Sequence, residues 1–375
     1  MKVGLACGGT GGHTFPGLAT AEVLRKWGHE VTLWLAGKDI ETASVKNWEG
    51  DSHTIYAEGF QYGVSFRSLV TARRLYTAYR QCAGLMKDDR PDVMLGMGSY
   101  ASVGPLWAAH RAKVPIVLHE ANVIPGRAVT AFAARASAVA GSFQETRHYL
   151  QNINLSVTGM PLRKEIELAA RANIQFSAMD RPFTILSMGG SRGAHSLNQM
   201  VSQAVLNLHK ITPDFRVIHL TGKADEDEVR ERYKEAGINA EVSSFVHEMT
   251  RIYESCDLAI CRAGAATCAE LSAFGLPALL VPYPYAARDH QTKNAEAMQR
   301  MKCADFVPES DLDPVWLTEY LEGCMNTPSR LDRMSKAARD RAYPNAAERL
   351  ARLTLKAGGM EFDAEEAQPV QIPHA

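Results

Sequence analysis

Twice along the chain, a short apolar strand runs into a glycine turn and then into a helix, and this repeat constrains the fold more than any other feature. The first copy is "MKVGLACGGTGGHT" and the second is "PFTILSMGGSRGAHS". After each copy, short apolar segments alternate with helical segments of about a dozen residues, which is typical of βαβ units and a parallel sheet. The sequence therefore predicts an α/β protein made of two consecutive doubly wound halves.

The first helix and the remaining strands are predicted from the same alternation. The first helix is expected to open at Pro16 and to close near Gly28, because proline suits the first turn of a helix and glycine its end. The other strands of the first half are expected at "EVTLWLAG", "PDVMLGMG" and "PIVLHEAN", and those of the second half at "FRVIHLTG", "AEVSSFV", "CDLAICRAG" and "PALLVPYP".

Length and composition bound the class of protein. A chain of 375 residues exceeds what one hydrophobic core usually organises, so two domains are expected. A formal net charge of −1 argues against a general nucleic-acid binder, which carries a basic excess. The seven cysteines have no CxxC spacing and indicate reduced, buried thiols in a cytosolic protein. No apolar stretch is long enough to span a bilayer or to serve as a signal peptide.

The chain is expected to divide into two domains and a tail. Residues 1–161 are predicted to form the N-terminal domain and residues 162–340 the C-terminal domain, with a short hinge around "VTGMPLRKE". Residues 358–375 are polar and contain proline, so we expect them to be disordered.

Three glycine turns are candidate ligand sites. A strand–glycine–helix junction presents backbone N–H groups and the positive end of a helix dipole, which suits an anion. "GGTGGH", "GGSRGAH" and "CRAGAATCAEL" are of this kind. Small residues also allow close strand–helix packing, so packing alone stays an alternative for each turn. As a set they favour phosphate or sugar binding at the carboxyl ends of the strands, in a cleft between the two halves.

The turns lack the marks of several common nucleotide sites. None of them continues into the Gly-Lys-Ser/Thr of a Walker A loop, and none is a clean GxGxxG with an acidic residue after the second strand. "HEAN" is not the HExxH of a zinc protease. These patterns argue against a nicotinamide enzyme and against a metal hydrolase.

Seven motifs occur in the order found in one family of bacterial enzymes. They are "GGTGGHTFPGLA", "LGMGSYASVGP", "VLHEANVIPG", "GMPLR", "MGGSRGAHSLN", "CRAGAATCAEL" and "DHQTKNA", and the similarity spans about residues 2–355. The chain resembles the MurG family, whose members complete the lipid-linked peptidoglycan precursor. The resemblance implies the GT-B glycosyltransferase fold: two Rossmann-like doubly wound parallel-sheet domains with an interdomain cleft. It also implies that a last helix, at residues 341–357, packs back onto the first domain.

The resemblance implies an inverting transfer of N-acetylglucosamine from UDP-N-acetylglucosamine to the 4-hydroxyl of the muramyl sugar of lipid I, giving lipid II. Two alternative functions stay open. One is another UDP-sugar enzyme on the same scaffold, such as a 2-epimerase or a diacylglycerol glycosyltransferase. The other is a non-catalytic sugar-nucleotide-binding regulator. The implied partners are the donor, lipid I, an anionic membrane surface and other cell-wall synthesis proteins. The implied location is peripheral, on the cytoplasmic face of the bacterial plasma membrane.

Carried over residue by residue, the resemblance assigns most donor contacts to the second half. Arg163 and the backbone of Val246 are expected to hold the uracil, and Glu270 to accept hydrogen bonds from the ribose hydroxyls. Glu270 as a solvated helix carboxylate and Arg163 as a surface charge are the competing interpretations. The diphosphate is expected to meet the backbone N–H groups of Ala265, Ala266, Thr267, Cys268 and Ala269.

The remaining donor contacts concern the sugar and its phosphate. Ser191 is expected to touch phosphate or sugar, and Gln291 with Asn122 to read the N-acetylglucosamine hydroxyls, although Asn122 also suits a turn. Many family members differ from this chain at three nearby positions, and the residues here are Ala121, Arg192 and Ala263. From the first half, the residues expected to close over the sugar are Thr10, Gly11 and Gly12.

His13 is the candidate general base, because an imidazole titrates near neutral pH. A histidine that caps its own turn is the alternative, and Asp289 and His290 are weaker candidates for the base. Helix N-termini and arginine can stabilise a departing UDP, so no metal and no cofactor are expected. The DxD-like string at Asp225 is read as the charged start of a helix.

The stretch "SFRSLVTARRLYTAYRQCAGLMK" mixes arginines with large apolar residues. A basic amphipathic segment of this kind is suited to an anionic lipid surface. A core-facing helix with a solvated arginine face is the alternative.

Overall fold

The computed structural model describes residues 1–37, 45–46, 48–55, 66–172, 181–190 and 193–362, with only the backbone described at 66–72. The chain forms two compact units. The first contains Met1–Ala121, Pro125–Pro161 and Asn345–Ala375, and the second contains Asn122–Ile124 and Leu162–Pro344.

The first unit is built on a seven-stranded parallel sheet with the order β3-β2-β1-β4-β5-β6-β7. The chain builds outward from β1 to β3 and then returns to add β4 on the other side of β1. The order therefore reverses between β1 and β4. The strands are β1 (Lys2–Ala6), β2 (Glu30–Leu35), β3 (Ser52–Thr54), β4 (Val93–Gly96), β5 (Ile116–Glu120), β6 (Ala138–Gly141) and β7 (Leu155–Val157).

The second unit repeats this plan in a six-stranded parallel sheet with the order β10-β9-β8-β11-β12-β13. Here the order reverses between β8 and β11. The predicted strands of both halves are confirmed, within four residues at their ends. The strands are β8 (Phe183–Met188), β9 (Phe215–Leu220), β10 (Ala240–Ser243), β11 (Leu258–Cys261), β12 (Ala278–Leu280) and β13 (Asp305–Phe306).

Helices connect the strands and cover the sheets, as right-handed crossovers of parallel sheets require. Those of the first unit are Gly11–Lys26, Phe66–Asp88, Val103–Arg111, Arg127–Phe132 and Ala346–Ala357. Those of the second are Lys164–Ala172, His195–Ile211, Glu226–Glu235, Met249–Ser255, Ala265–Phe274, His290–Arg300, Pro314–Asn326 and Pro328–Arg341.

Buried apolar faces hold the helices to the sheets. The face that the sequence places on the helix His195–Ile211 is fully buried, at Leu197, Val201, Val205 and Leu208. All seven cysteines lie among the described residues, are buried and form no disulfide. Within the described ranges, no helix combines the length and the apolar character needed to cross a bilayer.

The first helix begins earlier than predicted. It starts at Gly11, so Pro16 lies inside it instead of opening it. Thr10 has an extended backbone, with φ of −145°, and its carbonyl accepts the N–H groups of His13 and Thr14. Two of the predicted turn glycines therefore belong to the first helical turn.

The last helix begins later than predicted. The preceding helix ends at Arg341, and Pro344 and Asn345 interrupt the chain before Ala346, with Asn345 in the left-handed region at φ of 61°. The helix Ala346–Ala357 buries Leu350, Ala351 and Leu355 in the core of the first unit.

Part of the predicted tail is folded. Met360 and Phe362 pack against the same core, and the N–H of Met360 bonds to the carbonyl of Leu355. The disorder predicted from residue 358 is therefore wrong for Gly358 to Phe362. Residues 363–375 lie outside the described residues.

Candidate active site

The reversal of strand order in the second unit marks where a ligand of this fold class binds, outside the carboxyl ends of the strands. β8 and β11 are neighbours there, with Met188 paired to Cys261. β8 runs into the turn "GGSRGA", and β11 runs into "RAG" before the helix Ala265–Phe274. Two of the three candidate glycine turns are therefore adjacent. Ser191 and Arg192, in the first of these turns, lie outside the described residues.

The helix Ala265–Phe274 presents an open N-terminus at this point. Its N-cap is Gly264, with an extended backbone and no side-chain cap. Cys268 is the first residue whose N–H bonds back to the carbonyl of Gly264, so the preceding N–H groups have no acceptor inside the helix. These are the groups of Ala265, Ala266 and Thr267, at the positive end of the dipole.

Glu270 lies in the second turn of this helix and is mostly buried, with 16% of its side chain exposed. The hydroxyl of Tyr253 donates a 2.7 Å hydrogen bond to Oε2, and the guanidinium of Arg163 lies 4.0 Å from Oε1. Burial raises the pKa of Glu270, with a further rise from the charge of Glu165, while Tyr253 and Arg163 act in the opposite direction. Glu270 is therefore no solvated helix carboxylate.

Tyr253 is a site residue that the sequence did not reveal. It lies on the helix Met249–Ser255 and is 3% exposed. Burial raises the pKa of Tyr253 well above its usual value, with Glu270 adding to the rise, so the hydroxyl keeps its proton and stays a donor. Tyr253 is identified as a site residue only by its contact with Glu270 in the folded chain.

The loop after β10 carries Val246, which is half-buried. Its neighbour Phe245 is exposed, and the Phe245 ring packs edge-on against His247 with 4.9 Å between centroids. The described contacts do not join Val246 to Arg163 or Glu270.

Asn294 ties together three segments of the second unit and is fully buried. Its Oδ1 accepts the N–H of Val123 at 3.0 Å, and its Nδ2 donates to Oδ1 of Asn122 at 3.0 Å and to the carbonyl of Ala263 at 3.1 Å. One turn earlier on the same helix, Oε1 of Gln291 accepts a backbone N–H at 2.9 Å. Asn122 and Gln291, both predicted from the sequence, are therefore linked to one helix. The position of Asn294, one helical turn after Gln291 within "DHQTKNA", is the sequence signal that could have indicated it as a site residue.

The two polar residues that begin "HEAN" hold loops in place. His119 is buried and its Nε2 lies 3.1 Å from the carbonyl of Gly159, which makes Nε2 the donor. Burial lowers the pKa of His119 to about 4, so the ring is neutral. Glu120, also buried, accepts the N–H of Gly126 at 2.7 Å and so closes the loop that contains Asn122.

In the first unit the order reverses between β1 and β4, and His13 lies in the helix turn that follows β1. Nδ1 of His13 lies 2.9 Å from the hydroxyl of Thr10, the N-cap residue. Gly9 has φ of +122°, and a Cβ there would lie 3.3 Å from Ser99 and Tyr100 in the turn after β4. The turns after β1 and β4 are therefore packed closely. His13 is held by its contact with Thr10 in its own turn.

The other ionisable candidates have partners of their own. Asp225 bonds to neighbouring side chains, whereas Asp227 is fully exposed beside Arg230, so the two carboxylates do not converge. Asp289 accepts the hydroxyl of Thr292, and His290 donates through Nδ1 to a backbone carbonyl. Across the part of the chain that is described, no three His, Cys, Asp or Glu side chains come together as a metal site.

Two doubly wound parallel sheets, with glycine turns at both points of strand reversal, have the architecture of the two-domain GT-B fold. The N-terminal domain of glycosyltransferase family 28 matches residues 3–141, and the C-terminal domain of that family matches residues 184–350. A solved UDP-GlcNAc 2-epimerase from Neisseria meningitidis shares the fold, with a TM-score of 0.68 and 13% identity over 95% of this chain and 100% of that one.

Within this class the chain belongs to the MurG family. It is 35% identical to the UDP-N-acetylglucosamine--N-acetylmuramyl-(pentapeptide) pyrophosphoryl-undecaprenol N-acetylglucosamine transferase of Geobacter metallireducens, over 93% of this chain and 96% of that protein. The crystal structure of Acinetobacter baumannii MurG matches with a TM-score of 0.77 and 27% identity, over 95% of this chain and 99% of that one. The family resemblance read from the seven motifs is confirmed.

Proposed function

We propose that this protein transfers N-acetylglucosamine from UDP-N-acetylglucosamine to the 4-hydroxyl of the muramyl sugar of lipid I, giving lipid II with inversion at the anomeric carbon. The observation that carries the proposal is the buried carboxylate of Glu270 on a helix whose open N-terminus lies where the strand order reverses. This pairs an acceptor for ribose hydroxyls with donors for a diphosphate. The relatives' names supply the substrates.

The uridine diphosphate is held by the helix Ala265–Phe274 of the second unit, with Arg163 beside it. The ionised carboxylate of Glu270 accepts the ribose hydroxyls, and the nearby guanidinium of Arg163 favours that ionised state. The N–H groups at the start of the helix Ala265–Phe274 face the diphosphate. As the bond to the sugar breaks, negative charge builds on the leaving UDP, and these fixed dipoles stabilise it.

Asn122 and Gln291 read the sugar through side-chain amides of fixed orientation. The Oδ1 of Asn122 accepts from Asn294, and the Oε1 of Gln291 accepts the backbone N–H of Tyr283. These bonds settle which end of each amide is the carbonyl. The amide nitrogens are then the donors assigned to oxygens of N-acetylglucosamine.

His13 serves as the general base in this proposal. The acceptor hydroxyl attacks the anomeric carbon, the bond to UDP breaks, and the hydroxyl proton passes to Nε2 of the imidazole. This requires that Nδ1 carry a hydrogen and donate it to the Thr10 hydroxyl, 2.9 Å away. A threonine hydroxyl can accept this hydrogen, so the contact is compatible with Nε2 as the basic nitrogen.

We also infer that the helix Phe66–Asp88 docks the protein on an anionic membrane, where a lipid-borne acceptor resides. Arg73, Arg74 and Arg80 are exposed, and Tyr76 beside them is 52% exposed. The opposite face is buried in the core through Ala78, Cys82 and Met86. The side chains of residues 66–72, which belong to the predicted segment, lie outside the described part of the chain. The inferred location is the cytoplasmic face of the bacterial plasma membrane.

Acceptor dependence tests the proposal and separates it from its rivals. The protein is incubated with UDP-N-acetylglucosamine labelled in the sugar, with and without a lipid I analogue. We expect UDP and a labelled disaccharide only when the acceptor is present. Isomerisation of the UDP-sugar without an acceptor would favour a 2-epimerase, and binding without any turnover would favour a regulator.

A further inference from the structure

His195 is an exposed imidazole held by a buried carboxylate. It begins the helix His195–Ile211, and its side chain is 71% exposed, whereas that of Asp225 is 6% exposed. Nδ1 of His195 lies 2.7 Å from Oδ1 of Asp225. An ionised carboxylate only accepts hydrogen bonds, so Nδ1 carries a hydrogen. Asp225 therefore fixes both the orientation and the tautomer of His195.

A buried polar chain holds Asp225 in turn. Nδ2 of Asn198 donates to Oδ2 of Asp225 at 2.6 Å and to the carbonyl of Thr221 at 2.8 Å. Oδ1 of Asn198 lies 3.2 Å from Nε2 of His219, whose Nδ1 lies 3.0 Å from the hydroxyl of Tyr233. Because Oδ1 only accepts, His219 donates through Nε2 and accepts from Tyr233. Every described member of this chain is buried except the imidazole at its end.

The imidazole lies on the element that leaves the point of strand reversal. The glycine turn before His195 follows β8, and β8 is paired with β11, which leads into the helix Ala265–Phe274. Gly193 in this turn has φ of +76°, and a Cβ there would collide with the carbonyl of Thr221. The turn therefore packs directly against Thr221, whose carbonyl belongs to the buried hydrogen-bonded network that orients His195.

We propose that His195, oriented by Asp225, binds the diphosphate of the donor and holds it more tightly when its imidazole is protonated. The inference rests on the proposed function and adds a cationic contact and a pH response to the same site. Nε2, the ring nitrogen on the side away from Asp225, is the one that meets a phosphate oxygen.

The charged groups around His195 favour its protonated form. The hydrogen bond to Asp225 and the charge of Asp225 raise the pKa of His195, and Glu228 acts in the same direction. Glu228 is itself paired with Arg232 on the same helix. On the neighbouring strand β9, burial lowers the pKa of His219 to about 3, so His219 adds no charge.

The test compares donor binding across pH in the wild type and in His195→Gln, which stays polar but cannot be charged. UDP-N-acetylglucosamine is the probe, because both its phosphates are esterified, whereas a terminal phosphate ionises near pH ~6. We expect the variant's Kd to be about 3- to 10-fold above the wild type's at about pH 5.5 and within about 2-fold at about pH 8.5. Taking the ratio at each pH removes the titration of Glu270, which both proteins share.

Two controls isolate the diphosphate contact. His110→Gln changes an exposed histidine of the first unit and should leave the Kd at the wild-type value at every pH. Uridine, which has no phosphate, should bind the wild type and His195→Gln equally.

A measurement on the unmutated protein gives an independent readout. A ligand that binds the protonated form better must raise the pKa of that group by the same coupling. The NMR titration of His195 should therefore move to higher pH with UDP-N-acetylglucosamine and stay in place with uridine. A pKa that the donor leaves unchanged, or a Kd ratio that is flat across pH, would overturn the proposal while leaving the proposed function intact. Absence of donor binding by the wild type would overturn both.

Discussion

The hydroxyl of Tyr253 donates a 2.7 Å hydrogen bond to Oε2 of Glu270, and this contact joins two helices of the second unit. It holds a buried carboxylate behind a helix N-terminus, with Arg163 4.0 Å from the other carboxylate oxygen. A ribose that binds there replaces water on a carboxylate that has already lost much of its hydration. We therefore expect the protein to discriminate strongly between donors that differ in their ribose hydroxyls.

The first prediction concerns the ribose hydroxyls. The wild type should bind UDP more tightly than 2′-deoxy-UDP by about 1–3 kcal/mol, because the missing hydroxyl removes one hydrogen bond from a buried carboxylate. Glu270→Gln, which has nearly the same shape, should lose most of this discrimination. Titration calorimetry measures all four affinities. Equal affinity of the wild type for UDP and 2′-deoxy-UDP would remove Glu270 from this role.

The second prediction concerns pH. Burial raises the pKa of Glu270, and the ribose requires its ionised form, so the Glu270 contribution to donor affinity is complete above this pKa and declines as the pH falls through it. The bond from Tyr253 lowers the pKa of Glu270. Tyr253→Phe should therefore move the acid-side loss of UDP-N-acetylglucosamine affinity to higher pH.

The control for this shift is Tyr320→Phe, which removes a partly buried hydroxyl bonded to Asp305 elsewhere in the second unit. Its pH profile should match that of the wild type. If Tyr253→Phe also matched the wild type, Tyr253 would have no part in setting the charge of Glu270.

The third prediction concerns Asn294. Asn294→Asp keeps an acceptor for the N–H of Val123 but removes the donor to Asn122 and to the carbonyl of Ala263. Each buried group left unpaired costs about 1–3 kcal/mol, so the free energy of unfolding should fall. Because Asn122 loses its fixed orientation, KM for the donor should rise more than kcat falls.

Gln299→Ala, at an exposed position of the same helix, is the matched control and should change neither stability nor KM. A stability loss in Asn294→Asp with an unchanged KM would make Asn294 purely structural.

The alternating strands and the glycine turns were predictable from the sequence because they depend on local patterning. The contacts of Tyr253 and Asn294 were not, since their partners lie up to 172 positions away in the chain. The start of the first helix at Gly11 was missed because the extended backbone of Thr10, not Pro16, sets it. The burial of Glu270 also depends on tertiary packing, which no spacing within "AATCAEL" encodes.

The fourth prediction concerns His13. His13→Ala should leave donor binding within a few-fold, because the assigned donor contacts lie mainly in the second unit. Turnover should fall by about 10²- to 10⁴-fold, the usual contribution of a positioned base. The limb of the rate profile near pH ~6–7 should disappear.

His110→Ala is the control for a general effect of losing an exposed histidine. A His13→Ala protein that lost donor binding but kept its rate at saturation would make His13 a binding residue. Asp289 and His290 would then be the next candidates for the base.

The fifth prediction concerns the membrane. The double variant Arg73→Glu, Arg74→Glu should bind vesicles of anionic lipid more weakly than the wild type at low salt, because two exposed positive charges become negative. The loss is measured by co-sedimentation, with zwitterionic vesicles and the exposed-site variant Arg111→Glu as controls. Unchanged binding to anionic vesicles would leave this helix as ordinary surface.

The most direct test of the central claim is the chemical identity of the product that the full-length protein makes from UDP-N-acetylglucosamine and lipid I in vesicles. The product is released from its lipid and analysed by mass spectrometry and NMR. We expect one N-acetylglucosamine joined to the 4-hydroxyl of the muramyl sugar, with the anomeric configuration inverted relative to the donor. A product with retained configuration, attachment at another hydroxyl, or an epimerised UDP-sugar with lipid I unchanged would contradict it.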